Sequence, residues 1–199
     1  NLRYEAAIVL PKNDVESQNV LALSVILSFA FCILLFLFFL FFNEQVCTLL
    51  NFPLKYSAFL YLLPFSALFF SVYQSFNFWL IRKTLFKASS INKITRRSVE
   101  GVAQLSSGYK QLSFGLFIGD FVGSFANACA GFYQLKKNNF SSSLLSLKKI
   151  GYVLRRYKAF PLNNLLPTLL SSVATFLPFF FVNKFYSSSD LGYLDLSRL

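Results

Sequence analysis

Residues 20–42 carry no charged side chain, and this one stretch removes most folds from consideration. As a helix it is long enough to span a hydrocarbon core of about 30 Å, which takes about 20 residues. Inside lipid only a helix or a closed barrel satisfies its own backbone hydrogen bonds. The run is too long and too internal for a signal-peptide core, and no cleavage-like site follows it. The rest of the chain agrees. Of its 199 residues, 55% are hydrophobic, 27 are Phe and only 14% are charged, too little charge for a soluble domain of this size. The expected fold class is all-α: a polytopic bundle of transmembrane helices.

Five spans are predicted, at residues 20–42, 57–80, 97–112, 114–135 and 165–186. The third is too polar to be found by hydropathy and is inferred from charge. Two basic stretches, 82–97 and 136–158, flank a region whose apolar run could cross a membrane only once. Short cytoplasmic loops collect Lys and Arg, so the two stretches belong on one side, which requires two crossings between them. Residues 97–112 supply the second. Their Glu100, Gln104, Ser107 and Gln111 fall at i, i+4, i+7 and i+11, a polar stripe suited to face other helices or a water-filled cavity. With Arg3 and Lys12 counted in, 15 of the 19 basic residues then lie on one side, which the positive-inside rule makes cytoplasmic. Topology thus accounts for much of the +11 charge. The basic residues flank spans and form no separate domain, so nucleic-acid binding is a poor reading.

Residues 144–160 have another character. Leu147, Ile150, Leu154 and Tyr157 share one face and Lys148, Lys149, Arg155 and Arg156 the other, as in a basic amphipathic helix lying on a cytoplasmic interface among anionic head groups, or in a solvated connector. Ser141 to Ser143 read as a joint before it. Cys32 and Cys129 fall within spans and Cys47 in a short outer loop. His is absent and no CxxC, P-loop or dinucleotide fingerprint occurs. Zinc sites, His-based catalysis and ATP hydrolysis therefore lack their raw material, and neither enzymatic activity, a metal nor a cofactor is expected.

Most of the candidate working residues lie in the third and fourth spans. Gly115, Gly119, Gly123, Asn127 and Gly131 recur at every fourth position, a small-residue face that allows close helix packing. Asp120 is a carboxylate within a span and should face a cavity, a cation or a partner. Glu100 is a second, within reach of Arg96 or Arg97, and Gln104 shares its face. Lys110, near the outer end of the third span, and Arg3, at the inner mouth, are candidate contacts for an anionic substrate. Pro64, Pro167 and Pro178 are expected to interrupt and kink their spans.

The sequence Arg3-Tyr4-Glu5-Ala6-Ala7-Ile8-Val9-Leu10-Pro11-Lys12, followed by Asn19-Val20-Leu21-Ala22-Leu23-Ser24, resembles the entry to the third span of polysaccharide biosynthesis flippases. These belong to the MOP exporter superfamily, which includes the O-antigen flippases. Tyr157-Lys158-Ala159-Phe160-Pro161, with Leu165-Leu166-Pro167 and Leu177-Pro178, resembles that family's entry into its seventh span. Leu191-Gly192-Tyr193 and Ser197-Arg198-Leu199 resemble the start of the eighth. The resemblance is collinear over almost the whole chain, although each motif is short.

It implies a fragment holding spans three to seven of a two-lobed transporter. Residues 1–160 would be part of the N-terminal lobe plus a cytoplasmic amphipathic linker, and 161–199 the start of the C-terminal lobe. It also implies the function: moving an undecaprenyl-diphosphate-linked oligosaccharide across a bacterial inner membrane for surface polysaccharide assembly. The partners would be that lipid-linked oligosaccharide, membrane lipids and polysaccharide polymerase or assembly proteins, with H+ or Na+ as coupling ion. The competing expectations are a cation-coupled drug exporter of the same superfamily with Asp120 as its cation site, a membrane polymerase or ligase, and a partner subunit without substrate. A polymerase or ligase would need a large outer loop, and every outer loop here is short.

Overall fold

The computed structural model describes residues 3–49, 54–110, 115–138, 140, 145–185, 192–194 and 197, with the backbone alone at 54–56, 183 and 184. All regular structure among them is helical: α1 Tyr4–Ala7, α2 Asp14–Leu49, a 3-10 segment Leu54–Tyr61, α3 Leu62–Arg82, α4 Phe86–Tyr109, α5 Gly115–Lys137, α6 Leu147–Arg156 and α7 Ala159–Phe185. The chain divides into two compact units, Asn1–Tyr157 and Lys158–Leu199. Four helical stretches are long and apolar enough to cross a membrane, at Asp14–Leu49, Ser57–Arg82, Gly115–Lys137 and Ala159–Val182.

In the first unit, α2 to α5 run alternately up and down. α2 has 36 residues, about 54 Å of helix, so it reaches well past a hydrocarbon core at both ends. Its helical geometry breaks at Phe42 (φ −118°, ψ 17°). The helix then continues through Cys47, which is fully buried in the helix and not in the expected outer loop. Phe29, Phe31, Leu34 and Phe41 are each at least half exposed, a surface that suits lipid and not water. The opposite side of α2 zips to α3 through serines. Ser24 Oγ donates to Ser75 Oγ (2.7 Å), and Ser28 and Ser71 share a hydrogen bond of 3.1 Å. In lipid, such interhelical hydrogen bonds contribute about 0.6–2 kcal/mol each.

Pro64 falls at the third position of α3, just after the 3-10 segment. The first helical turn has no intrahelical partner for its N–H groups, so Pro64 starts the helix and does not kink it. Pro167 and Pro178 do lie inside α7. There Thr168, Ser172 and Thr175 donate to the carbonyls of Asn164, Thr168 and Ser171.

The region 82–97, expected to be a loop, is mostly helix. α3 ends in a tight C-cap: Thr84 N–H donates to Ile81 O (2.9 Å), Leu85 N–H to Leu80 O (2.9 Å), and Thr84 takes a left-handed conformation (φ 57°). The chain turns within three residues, so α4 starts at Phe86, eleven residues before the predicted boundary. Lys87, Lys93, Arg96 and Arg97 are therefore helical residues. Gln111, Leu112 and Phe114 lie outside the described residues, as do Ser141 to Ser143. α4 is not among the helices apolar enough to cross a membrane by composition.

Packing supplies what α4 lacks in hydropathy. A Cβ placed on Gly115 would sit 2.6 Å from Ser107 Cβ, and one on Gly123 2.8 Å from Glu100 Cβ; one on Gly119 would collide with Gln104. Ser107, Gln104 and Glu100 are thus set one after another into the glycine face of α5, antiparallel and in register. The polar stripe and the glycine face are two sides of one interface.

The basic segments gather at one end of this unit. The Arg82 guanidinium donates to the carbonyls of Val9 (3.3 Å), Pro11 and Lys12 (3.2 Å) and pairs with Asp14 (3.2 Å), which also pairs with Lys83. At the same end α6 docks on the start of α2. Tyr4 Oη donates to Leu154 O (3.1 Å), Ser146 N–H to Asn19 Oδ1 (3.1 Å), and Arg156 pairs with Glu16 (3.0 Å). Tyr157 Oη also donates to Glu16 (3.4 Å), and burial, then the Glu16 charge, hold its phenol above the usual pKa. The residue that α6 buries is Val153, while Leu147 and Leu154 of its expected apolar face are exposed, because α6 docks through its backbone and polar groups.

Two predictions follow from this packing. Gly119→Leu and Gly123→Leu should each destabilise the folded protein by about 1–3 kcal/mol, the usual cost of overpacking, seen as lower folded yield and melting temperature in detergent. Normal yield of both would mean that the face points to lipid. In a variant without native Cys, cysteines at Lys87 and Lys149 should resist a membrane-impermeant thiol reagent applied from outside, and one at the exposed Tyr109 should react. Equal labelling at Lys87 and Tyr109 would show that α4 does not cross.

Candidate functional site

The α4–α5 register sets Glu100 opposite Gly123 and Arg96 one turn further on, from where the Arg96 side chain reaches back along α5 to Asp120. Asp120 lies in the second turn of α5, beside glycines that carry no side chain to shield it. Its Oδ2 accepts a hydrogen bond from Ser66 Oγ of α3 (2.9 Å), and its Oδ1 faces Arg96 Nη2 at 3.4 Å. The second contact is longer than a good N–H···O bond, so it is a loose ion pair. Arg96 sits on the inward side of α4, 21% exposed, with its Cζ 4.9 Å from the centre of the Phe70 ring and its Nε 3.8 Å from Glu100 Oε2. Glu100 also meets Arg97 at 3.4 Å, but that side chain is 79% exposed and adds little. One guanidinium on an aromatic face thus serves two carboxylates, one from its own helix and one from the next.

Two cavities meet at this pair. The larger, about 470 Å³, is lined by Leu35, Phe39, Pro64, Ser66, Asp120 and Ser124, among others; it is apolar apart from Ser124 and the Asp120 group with its partners. The smaller, about 330 Å³, is lined by Tyr73, Gln74, Asn77, Lys93, Arg97 and Asn127. Arg96 and Phe70 line both, so the stacked pair is the wall between them. One chamber presents a carboxylate, the other basic and amide groups.

Of the residues singled out by sequence, the structure brings Asp120 and Glu100 together through Arg96, and sets Gln104 and Glu100 against Gly119 and Gly123. Lys110 follows the last residue of α4 as its exposed C-cap, and Arg3 is exposed ahead of α1 in a left-handed conformation; neither lines the two chambers. Sequence reading missed Ser66 as the donor to Asp120, and it offered Arg96 only as a partner for Glu100. The two halves of the signal were present, though not their pairing. Setting the stripe Ser107–Gln104–Glu100 against Gly115–Gly119–Gly123 brings the next turn of α4, with Arg96, to the level of Asn127 and within reach of Asp120. Comparison with family models, curated proteins and solved structures finds no match.

If Arg96 and Asp120 are coupled, a double-mutant cycle shows it. Arg96→Gln alone should destabilise most, because it leaves two carboxylates facing each other's field. Adding Asp120→Asn should recover about 0.5–1.5 kcal/mol, read from melting in detergent. Strictly additive losses would mean that the pair contributes nothing.

Proposed function

We propose that this chain is part of a transporter that flips a lipid-linked oligosaccharide, most simply an undecaprenyl-diphosphate-linked repeat, across a bacterial inner membrane for surface polysaccharide assembly. The observation that carries this reading is the Arg96–Asp120–Glu100 cluster between two chambers, inside a unit whose outer surface is apolar. Charged groups are costly within a membrane and persist there where they face partners, water or cargo. Helices that cover most of Arg96 and Glu100, leave Asp120 partly open and turn Phe and Leu outward suit a polar path alongside lipid. The collinear resemblance to polysaccharide flippases points in the same direction and supplies the substrate class.

In this reading the unit 1–157 is most of one lobe and 158–199 opens the other, and the lipid tail stays in the bilayer while sugar and diphosphate pass between lobes. An anionic diphosphate needs cationic partners, since a dry crossing would cost many kcal/mol. Pairing with Arg96 weighs against the cation-coupled drug exporter, because Asp120 already holds a resident positive charge.

The test uses the full-length protein in proteoliposomes with a labelled lipid-linked oligosaccharide. Protein-dependent movement of label between leaflets is expected, and none at verified insertion would refute the reading. Asp120→Asn keeps shape and hydrogen bonding but removes the charge that balances Arg96. Expression should survive, while surface-glycan complementation falls about tenfold, the effect of about 1.4 kcal/mol. Wild-type glycan at matched expression would end a transport role for this carboxylate.

A further inference from the structure

The smaller chamber holds more positive charge and more unpartnered polar groups than packing requires. Asn127 is fully buried, and neither its Oδ1 nor its Nδ2 has a hydrogen-bond partner among the described residues. The hydroxyl of Tyr73, a residue 5% exposed, has none either. Both residues line the chamber. Burying such groups without partners costs about 1–3 kcal/mol apiece, so a membrane protein keeps them where something meets them. Lining the same chamber are three cations within about one helical turn of each other on α4: Lys93, Arg96 and Arg97. Two carboxylates offset part of this charge, Asp120 on Arg96 and Glu100 on both arginines. Lys93 has no ion-pair partner among the described residues, so the wall keeps a net positive charge. A volume of about 330 Å³ lies within the range of small-ligand pockets, about 300–1,000 Å³.

We infer that this chamber is an oxyanion site that takes a phosphate or diphosphate group. Lys93 and Arg97 stand at its rim and attract the anion, Arg96 meets it from the dividing wall, and the Tyr73 hydroxyl and Asn127 amide donate to its oxygens. Arg96 cannot hold Asp120 fully and a phosphate fully at once, so occupancy of this chamber loosens the charge balance of the other. The site does not rest on the transport reading, because its occupancy is measured at equilibrium without translocation. The phosphate has two possible sources, a soluble solute or a lipid head group.

The test is inorganic pyrophosphate binding to the full-length protein in phosphatidylcholine nanodiscs by titration calorimetry, with a parallel arm in nanodiscs containing phosphatidic acid. Saturable pyrophosphate binding in the first arm is expected for a soluble source. Lipid retention in the second arm, seen by native mass spectrometry, is expected for a head group. In either arm Lys93→Gln/Arg97→Gln, which changes two exposed side chains, should weaken binding about tenfold or more, the loss of one or two charge-assisted contacts. Lys87→Gln, also exposed on α4 but outside the chamber, should leave it unchanged. Equal weakening by Lys87→Gln would show diffuse attraction and overturn the site, as would absence of binding in both arms by protein with a normal melting transition. Pyrophosphate binding with this mutational pattern in a protein that fails to flip lipid would uphold the site and refute the transport reading alone.

Discussion

Everything the inner surface of the first unit can do depends on the close approach of α4 to α5. Without a hydrophobic drive between helices in lipid, association relies on backbone proximity and buried polar contact. Gly115, Gly119 and Gly123 provide the proximity, and Ser107, Gln104 and Glu100 fill the notch they leave. This explains how a helix with Glu, Gln and two Arg stays beside helices made of Phe and Leu: its polar side is covered by a partner that offers no side chains to clash with it. The same register sets the depth of Arg96, and with it the pairing to Asp120.

The charge arrangement follows from that depth. A carboxylate in a glycine-rich helix has few nearby groups to solvate it, and Asp120 is served from two neighbouring helices, by Ser66 and Arg96. Arg96 in turn is held by the Phe70 face and by Glu100, four residues on. The loose 3.4 Å contact matters here. A tight, fully satisfied pair would commit Arg96 to one carboxylate, whereas here its charge is divided between Asp120 at 3.4 Å and Glu100 at 3.8 Å.

Much of this was legible in the sequence, but in separate pieces. The span in α2, the glycine face and the polar stripe follow from hydropathy and from 3.6-residue periodicity. What one-dimensional patterns do not contain is which stripe meets which, so the Arg96–Asp120 pair stayed hidden although both residues were in view. The start of α4 was misplaced because Lys87, Lys93 and Arg96 look like loop charges. The turn that frees them rests on Thr84 in a left-handed conformation, where Gly would be the expected signal. Cys47 was placed in a loop because Asn43, Glu44 and Gln45 end the apolar run, yet the α-helix continues past the lipid-spanning part. The docked side of α6 was misread because its contacts come from backbone groups and from Val153, not from the leucines its helical pattern emphasises.

Many of the basic residues gather at one end of the first unit. They were weighed as markers of a membrane side, but several also hold structure. Arg82 gathers the carbonyls of Val9, Pro11 and Lys12 into one fork, and Arg156 ties α6 to Glu16 of α2. A guanidinium presents five donors in a fixed plane, so it can collect several backbone carbonyls that have no helical partner, which a lysine cannot do with the same geometry. The positive charge that the sequence offers as a marker of one membrane side is thus the same charge that fastens the ends of α2, α3 and α6 to one another. The closure of that end is therefore set by a few guanidinium groups, and a change that removed Arg82 would weaken it.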